Sequence, residues 1–179
     1  MKKFLIFGSL AVLSVLIFAF APKNESTETE TVKVKWLTFE EAVEASKTTP
    51  KKMMIDLYTD WCGWCKRMDK TTFEDPKVVQ YLNDNFYAVK FDAEQKEEID
   101  FNGHNFKWVA GGRNGIHTLA YSLLDGKLSY PTVVYLNEKF ERIMISPGFK
   151  QAPDMIKELT FAAEEHYKTT SWQQYQNKK

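Results

Sequence analysis

The residues able to do chemistry are concentrated in one hexapeptide, Trp61-Cys62-Gly63-Trp64-Cys65-Lys66, which holds both of the chain's 2 cysteines. Thiols at this spacing can close and open a disulfide, so the pair can attack a partner's sulfur and then release it. An apolar run, Met53 to Tyr58, precedes the motif, and a helical pattern follows from Trp64. Cys62 is therefore expected at a helix N-terminus, where free N–H groups and the positive dipole end favour thiolate over thiol. That makes Cys62 the candidate nucleophile and Cys65, one turn on, the candidate resolving thiol. Asp56 interrupts the apolar run. A carboxylate there is costly unless paired or used, and burial raises its pKa. A zinc site needs two further ligands, and His104, His117 and His166 stand isolated; covalent haem needs a histidine where Lys66 stands. Neither a metal nor an organic cofactor is expected.

The elements that must position these residues can be read on both sides of the motif. Thr38 and Glu41 form a capping box opening a short helix with Phe39, Ala42 and Val43 on one face. Met53–Tyr58 reads as a strand buried on both faces, and the helix after the cysteines restarts at Asp75-Pro76 with Val78, Val79 and Leu82 inward. Phe86–Asp92 reads as a second central strand, so helix and strand alternate as in an α/β domain. Residues 93–114 combine Gly103, Gly111 and Gly112 with Phe101, Phe106, Trp108 and Val109, which suggests a surface excursion holding a small hairpin. A helix is expected over Gly115–Leu124, burying Ile116, Leu119, Ala120 and Leu123 and stopped by Asp125-Gly126. Strands at Thr132–Leu136 and Arg142–Ser146 follow, joined by Asn137-Glu138-Lys139, and a last helix starts near Ala152 with Met155, Ile156, Leu159, Phe161 and Ala162 inward.

Charge balances at 24 Lys+Arg against 24 Asp+Glu, which excludes a strongly basic nucleic-acid binder and an acidic solvating tail. With 44% hydrophobic and 15% aromatic residues, one core is the expectation for 179 residues. Lys2 and Lys3 precede an apolar run from Phe4 to Ala21, so residues 1–21 read as an export signal or N-terminal anchor rather than a helix of the fold. Ala19-Phe20-Ala21 resembles a signal-peptidase site, while Pro22 disfavours cleavage, and both outcomes stay open. Residues 22–35 read as a polar linker, 36–168 as the domain, and 169–179 as a polar tail whose aromatics pack back.

Taken together, Asp56, the Trp61–Lys66 motif and the distant Tyr130-Pro131-Thr132 resemble the thioredoxin superfamily. Phe73-Glu74-Asp75-Pro76-Lys77-Val78-Val79 with Leu82-Asn83-Asp84-Asn85-Phe86 is similar to exported thioredoxin-like proteins, including the periplasmic end of thiol:disulfide interchange proteins. The resemblance spans residues 36–165. It implies a thioredoxin fold, a central mixed sheet flanked by helices, with a long insertion before the strand that a cis-proline, Pro131, introduces. It further implies that Asp56 lies beneath the disulfide and moves a proton for Cys65. Trp61, Gly63, Trp64, Tyr130 and Pro131 would meet the substrate, with Gly148 at the groove's border. The implied protein is a periplasmic monomer acting on protein thiols and disulfides, with a membrane redox partner and no nucleic acid. Trp64 departs from the proline or histidine usual between the cysteines, and the stretch from Asp92 to Pro131 is longer than in thioredoxin itself. A second reading keeps the fold but makes it a binding or chaperone-like module, with a structural disulfide and a partner held by residues 93–129.

Overall fold

The computed structural model describes residues 32–112 and 114–177. The expected signal or anchor at residues 1–21 lies outside the described residues, as does most of the expected linker. Among the described residues no helix is long and apolar enough to cross a membrane.

One five-stranded sheet organises the domain. Its strands are β1 (Trp36–Leu37), β2 (Lys52–Tyr58), β3 (Phe86–Asp92), β8 (Thr132–Leu136) and β9 (Arg142–Pro147), in the order β1-β3-β2-β8-β9. The first three run parallel, and β8 and β9 add on antiparallel. Because β2 is central, both its faces are covered and its sequence is an almost unbroken apolar run. Alternation sends Met53, Ile55 and Leu57 to one core, with α1 (Phe39–Thr48) and α4 (Thr118–Leu123) packed over them. Met54 goes to the other, beneath α2 (Gly63–Thr71), α3 (Pro76–Asn85) and α5 (Ala152–Ala163). Asp56 shares the face of Met54, so the pleat alone aims its carboxylate toward the helix that carries the cysteines.

The expected caps are present. Thr38 and Glu41 close a reciprocal capping box on α1, and Asp75 accepts from the N–H groups of Lys77 and Val78 to start α3 at Pro76. Phe39, 1% exposed, meets Phe91 and Phe101 edge-on at 6.4 and 5.0 Å between ring centres. That contact ties the insertion to the core, for Phe101 ends β4 (Ile99–Phe101), which forms the hairpin with β5 (His104–Phe106).

Four elements differ from expectation. The helix expected from Gly115 begins at Thr118, because β6 (Trp108–Val109) pairs with β7 (Ile116–His117). Gly115 sits at φ +76° with the Trp108 indole 2.3 Å from where a Cβ would be, so the chain must turn there. His117 then caps α4, its Nδ1 accepting from the Leu119 N–H and its Nε2 facing the Glu97 carbonyl. The link between β8 and β9 is longer than three residues: Asn137 N–H donates to the Glu141 carbonyl, and Phe140 takes a φ of +62°. On α5, Glu158 faces inward and is 2% exposed, donated to by Tyr135 and Ser146 hydroxyls at 3.2 and 2.6 Å. The two-residue β1 was not anticipated. At the C-terminus, α6 (Trp172–Gln176) lays Trp172 and Tyr175 against Phe161, as the tail's aromatics suggested.

Two substitutions at the start of α1 separate its cap from its packing. Thr38→Ala is expected to lower stability by about 1 kcal/mol, and Phe39→Ala by about 3–5 kcal/mol, read from urea unfolding midpoints. Equal small losses would mean that α1 does not anchor the insertion.

Candidate active site

The chain leaves β2, turns at Thr59, and enters α2 with Cys62 as its N-cap. Cys62 N–H donates to the Thr59 carbonyl at 3.0 Å, and its Sγ accepts from the Cys65 N–H at 3.1 Å. A free helix N–H thus points at the sulfur expected to become a thiolate. Cys62 and Cys65 form a disulfide with Cα atoms 5.3 Å apart, and Cys62 is the more open of the two, at 5% against 1% exposed. Gly63 lies at the exposed tip with nothing within 4 Å of a Cβ position, so packing does not demand glycine there.

Two tryptophans flank the disulfide, Trp61 62% and Trp64 55% exposed. Trp61 meets the Tyr130 ring edge-on at 6.1 Å and donates its indole N–H to Glu94 at 2.8 Å. Trp64 packs on Phe149 at 5.4 Å, with the Arg67 guanidinium 5.2 Å above its ring. The peptide bond between Tyr130 and Pro131 is cis. Gly148, at φ +90°, donates its N–H to the Pro131 carbonyl at 2.8 Å, and Lys150 clamps the Pro147 and Gly148 carbonyls at 2.8 and 2.7 Å. One tryptophan therefore leans on the residue before the cis-proline and the other on the residue after Gly148. Burial, then the nearby Glu94 and Asp92, pushes the Tyr130 phenol up to about 12, so it stays protonated.

Asp56 is fully buried, and its Oδ2 accepts from Lys90 Nζ at 2.6 Å, while Oδ1 has no hydrogen-bond partner. Lys90 stands opposite Asp56 in the β2–β3 register, binds Asp69 of α2 as well, and lies 4.9, 5.2 and 5.5 Å from the ring centres of Tyr58, Trp36 and Phe73. Burial pushes Asp56 up to about 6, with Lys90 pulling it part of the way back. Burial also pulls Lys90 down, but Asp56 and Asp69 outweigh it, and the ammonium is held above its usual range. Sequence reasoning found Asp56 and missed Lys90 and Asp69. Lys90 carried the same signal, a charge inside the apolar run Phe86–Asp92. Among the described residues no cluster of three or more His, Cys, Asp or Glu is arranged to hold a metal ion.

The raised Asp56 fixes a pH dependence. Between its ordinary value of 3.8 and about 6 the folded protein keeps a proton that the unfolded chain has lost. Stability contributed by this group therefore falls as pH rises through that window and is level above it, by about 3 kcal/mol at most. Urea unfolding of the disulfide form at pH 4 and pH 7 is expected to show this loss relative to Asp56→Asn, which has no such proton. Parallel pH profiles for the two proteins would refute the raised value.

A family model labelled Thioredox_DsbH and described as "Protein of unknown function, DUF255" matches residues 26–177. Among curated proteins, the thiol:disulfide interchange protein DsbD of Vibrio vulnificus is 30% identical over 104 residues, 52% of this chain and 17% of that protein. The uncharacterized protein B0495.5 of Caenorhabditis elegans is 32% identical over 76 residues, 42% of this chain and 10% of that protein. The chain spans only 6 to 18% of the length of such curated relatives. Among solved structures, a DsbH oxidoreductase superposes with a TM-score of 0.55 at 15% identity, covering 80% of this chain and 94% of that one. A candidate disulphide-isomerase from Bacteroides thetaiotaomicron gives 0.52 at 26% identity, covering 74% and 93%. With a thioredoxin fold, a disulfide at the head of α2 and a family match over most of its length, the chain belongs to the thioredoxin-like Thioredox_DsbH (DUF255) family.

Proposed function

We propose that this protein is a thiol–disulfide oxidoreductase that acts on exported protein substrates through Cys62 and Cys65. The observation that carries the proposal is Cys62 at the N-cap of a nine-residue helix, its sulfur receiving a helix N–H. In the reducing direction the Cys62 thiolate attacks one sulfur of a partner disulfide, and that bond breaks to release a thiolate, which takes a proton from water. Cys65 then gives its proton to Asp56 and attacks Cys62, releasing the partner's second sulfur and closing the protein disulfide. Two electrons pass to the partner, and every step runs backwards for oxidation. An Asp56 held near pKa 6 suits the task, since a group close to ambient pH both accepts and returns a proton. The main chain at Tyr130-Pro131 would hold an extended partner segment antiparallel, while Trp61, Gly63 and Trp64 border it. No cofactor is required, because electrons come from another thiol protein, a membrane redox partner.

Export to the periplasm rests on Lys2, Lys3 and the apolar run Phe4–Ala21, supported by relatives named thiol:disulfide interchange proteins. The protein would act there as a monomer.

Cys65→Ser is expected to accumulate mixed disulfides with partner proteins on non-reducing gels and Cys62→Ser to accumulate none; equal trapping by both would overturn the assignment of roles. In stopped-flow measurements at pH 7, Asp56→Asn should slow the resolving step by about 10²-fold. The deficit should shrink as pH approaches the thiol's own pKa, whereas a pH-independent deficit would make Asp56 structural only.

A further inference from the structure

The insertion builds a groove against the redox motif. Its volume is about 520 Å³, within the range of sites that enclose a ligand's apolar group. Trp61 and Tyr130 form the wall shared with the active site; Ile116, Tyr121 and Leu128 supply the rest of the apolar lining, and Gly111 and Gly112 leave the end open.

Two observations mark it as built. Exposed large apolar side chains gather here: Trp61, Tyr121 at 53% and Leu128 at 46% all line it, and such clustering on a folded domain marks a contact surface. Its walls are also fixed. Glu94 accepts from the Trp61 indole and from the Asn114 amide, Trp108 donates to the Asn114 carbonyl, and Gly115 admits no side chain beside the Trp108 ring. The Tyr121 ring is set over Gly126, at φ +72°. Little ordering is left for binding to cause.

We infer that this groove is a specificity site for an aromatic or large aliphatic side chain on the substrate polypeptide, carried two to four residues from the cysteine that reacts with Cys62. The inference rests on the oxidoreductase function proposed above. The occupant is a polypeptide because the groove is continuous with the reactive turn: its wall, Trp61, is the residue before Cys62, and Tyr130 runs straight into Pro131. A partner whose sulfur reaches Cys62 thus lays neighbouring residues past Trp61. In an extended segment, side chains on one face recur about every 7 Å, so a residue two to four positions from the reacting cysteine is one or two such steps away, within reach of a groove whose wall is the residue next to Cys62.

The test uses the full chain in mild detergent, reduced and freed of reductant. Two peptides differ only in having Phe or Ser two residues from a cysteine activated as a mixed disulfide with thionitrobenzoate. Cys62 attacks the peptide sulfur and expels thionitrobenzoate, whose colour reports the rate; Cys65 then displaces the peptide thiol and leaves the protein oxidised. The Phe peptide is expected to react about tenfold faster or more, with the ratio falling to about one in Leu128→Asp. Taking the ratio within each protein removes any general loss of folding or reactivity. Equal rates in the wild type overturn the groove's role, including the case where a second copy or the chain's own N-terminal residues fill it, as does a ratio that Leu128→Asp leaves unchanged. If glutathione disulfide still oxidises the protein, the oxidoreductase proposal survives that result; if neither peptide nor glutathione disulfide reacts, both proposals fall.

Discussion

A carboxylate and an ammonium paired inside the sheet set the terms for everything near the cysteines. Asp56 has no access to solvent, so its ionised form survives only because Lys90 is opposite it on the neighbouring strand. Breaking such a buried pair by removing one partner costs about 3–5 kcal/mol. Lys90 is in turn shared with Asp69 on the cysteine-bearing helix and surrounded by the Trp36, Tyr58 and Phe73 rings. One ammonium thereby joins β1, β2, β3 and α2, and the unpaired Asp56 Oδ1 leaves the carboxylate open to a proton.

A second buried acid, Glu158 of α5, lies over the same face of the sheet as Asp56. Glu158 accepts from Tyr135 of β8 and Ser146 of β9, and lies 3.9 Å from Lys150, the side chain that holds the Pro147 and Gly148 carbonyls. Since Gly148 donates to the Pro131 carbonyl, the turn whose Phe149 meets Trp64 is braced from the core of α5. Burial raises Glu158, and Lys150, Ser146 and Tyr135 oppose that rise. Two polar anchors thus lie on one face of the sheet, one under α2 and one under α5, with apolar packing filling the rest.

Asp56 stands out because an acid is rare in the middle of an apolar run; Lys90 interrupts its own run in the same way, but the signal is weaker there because lysine routinely buries its stem and keeps its head wet. The cysteine motif, the caps and the strand–helix alternation were legible because each is local. Glu158 escaped because its partners are distant in sequence and helical periodicity assigns a charge outward by default. Gly115 to His117 read as the start of a helix from the spacing of Ile116, Leu119, Ala120 and Leu123, and the Trp108 ring against Gly115, a long-range contact, makes them extended instead. A two-residue strand such as β1 is too short for any periodicity to reveal. Of the insertion's two hairpins, β4–β5 answers to the small hairpin expected within residues 93–114, whereas the two-residue strands β6 and β7 are too short for periodicity to reveal.

The insertion leaves from β3 and returns at β8, and these strands are the two direct neighbours of β2. Its endpoints are therefore held near each other by the sheet whatever lies between them. Closure entropy rises only logarithmically with length, about 0.6 kcal/mol for each doubling. The excursion can consequently lengthen, shorten or be rebuilt over evolutionary time while the register around the cysteines stays as it is. A fixed cysteine turn and a flank of adjustable length then share one chain, which allows descendants of one scaffold to differ in outer surface without relearning how to fold.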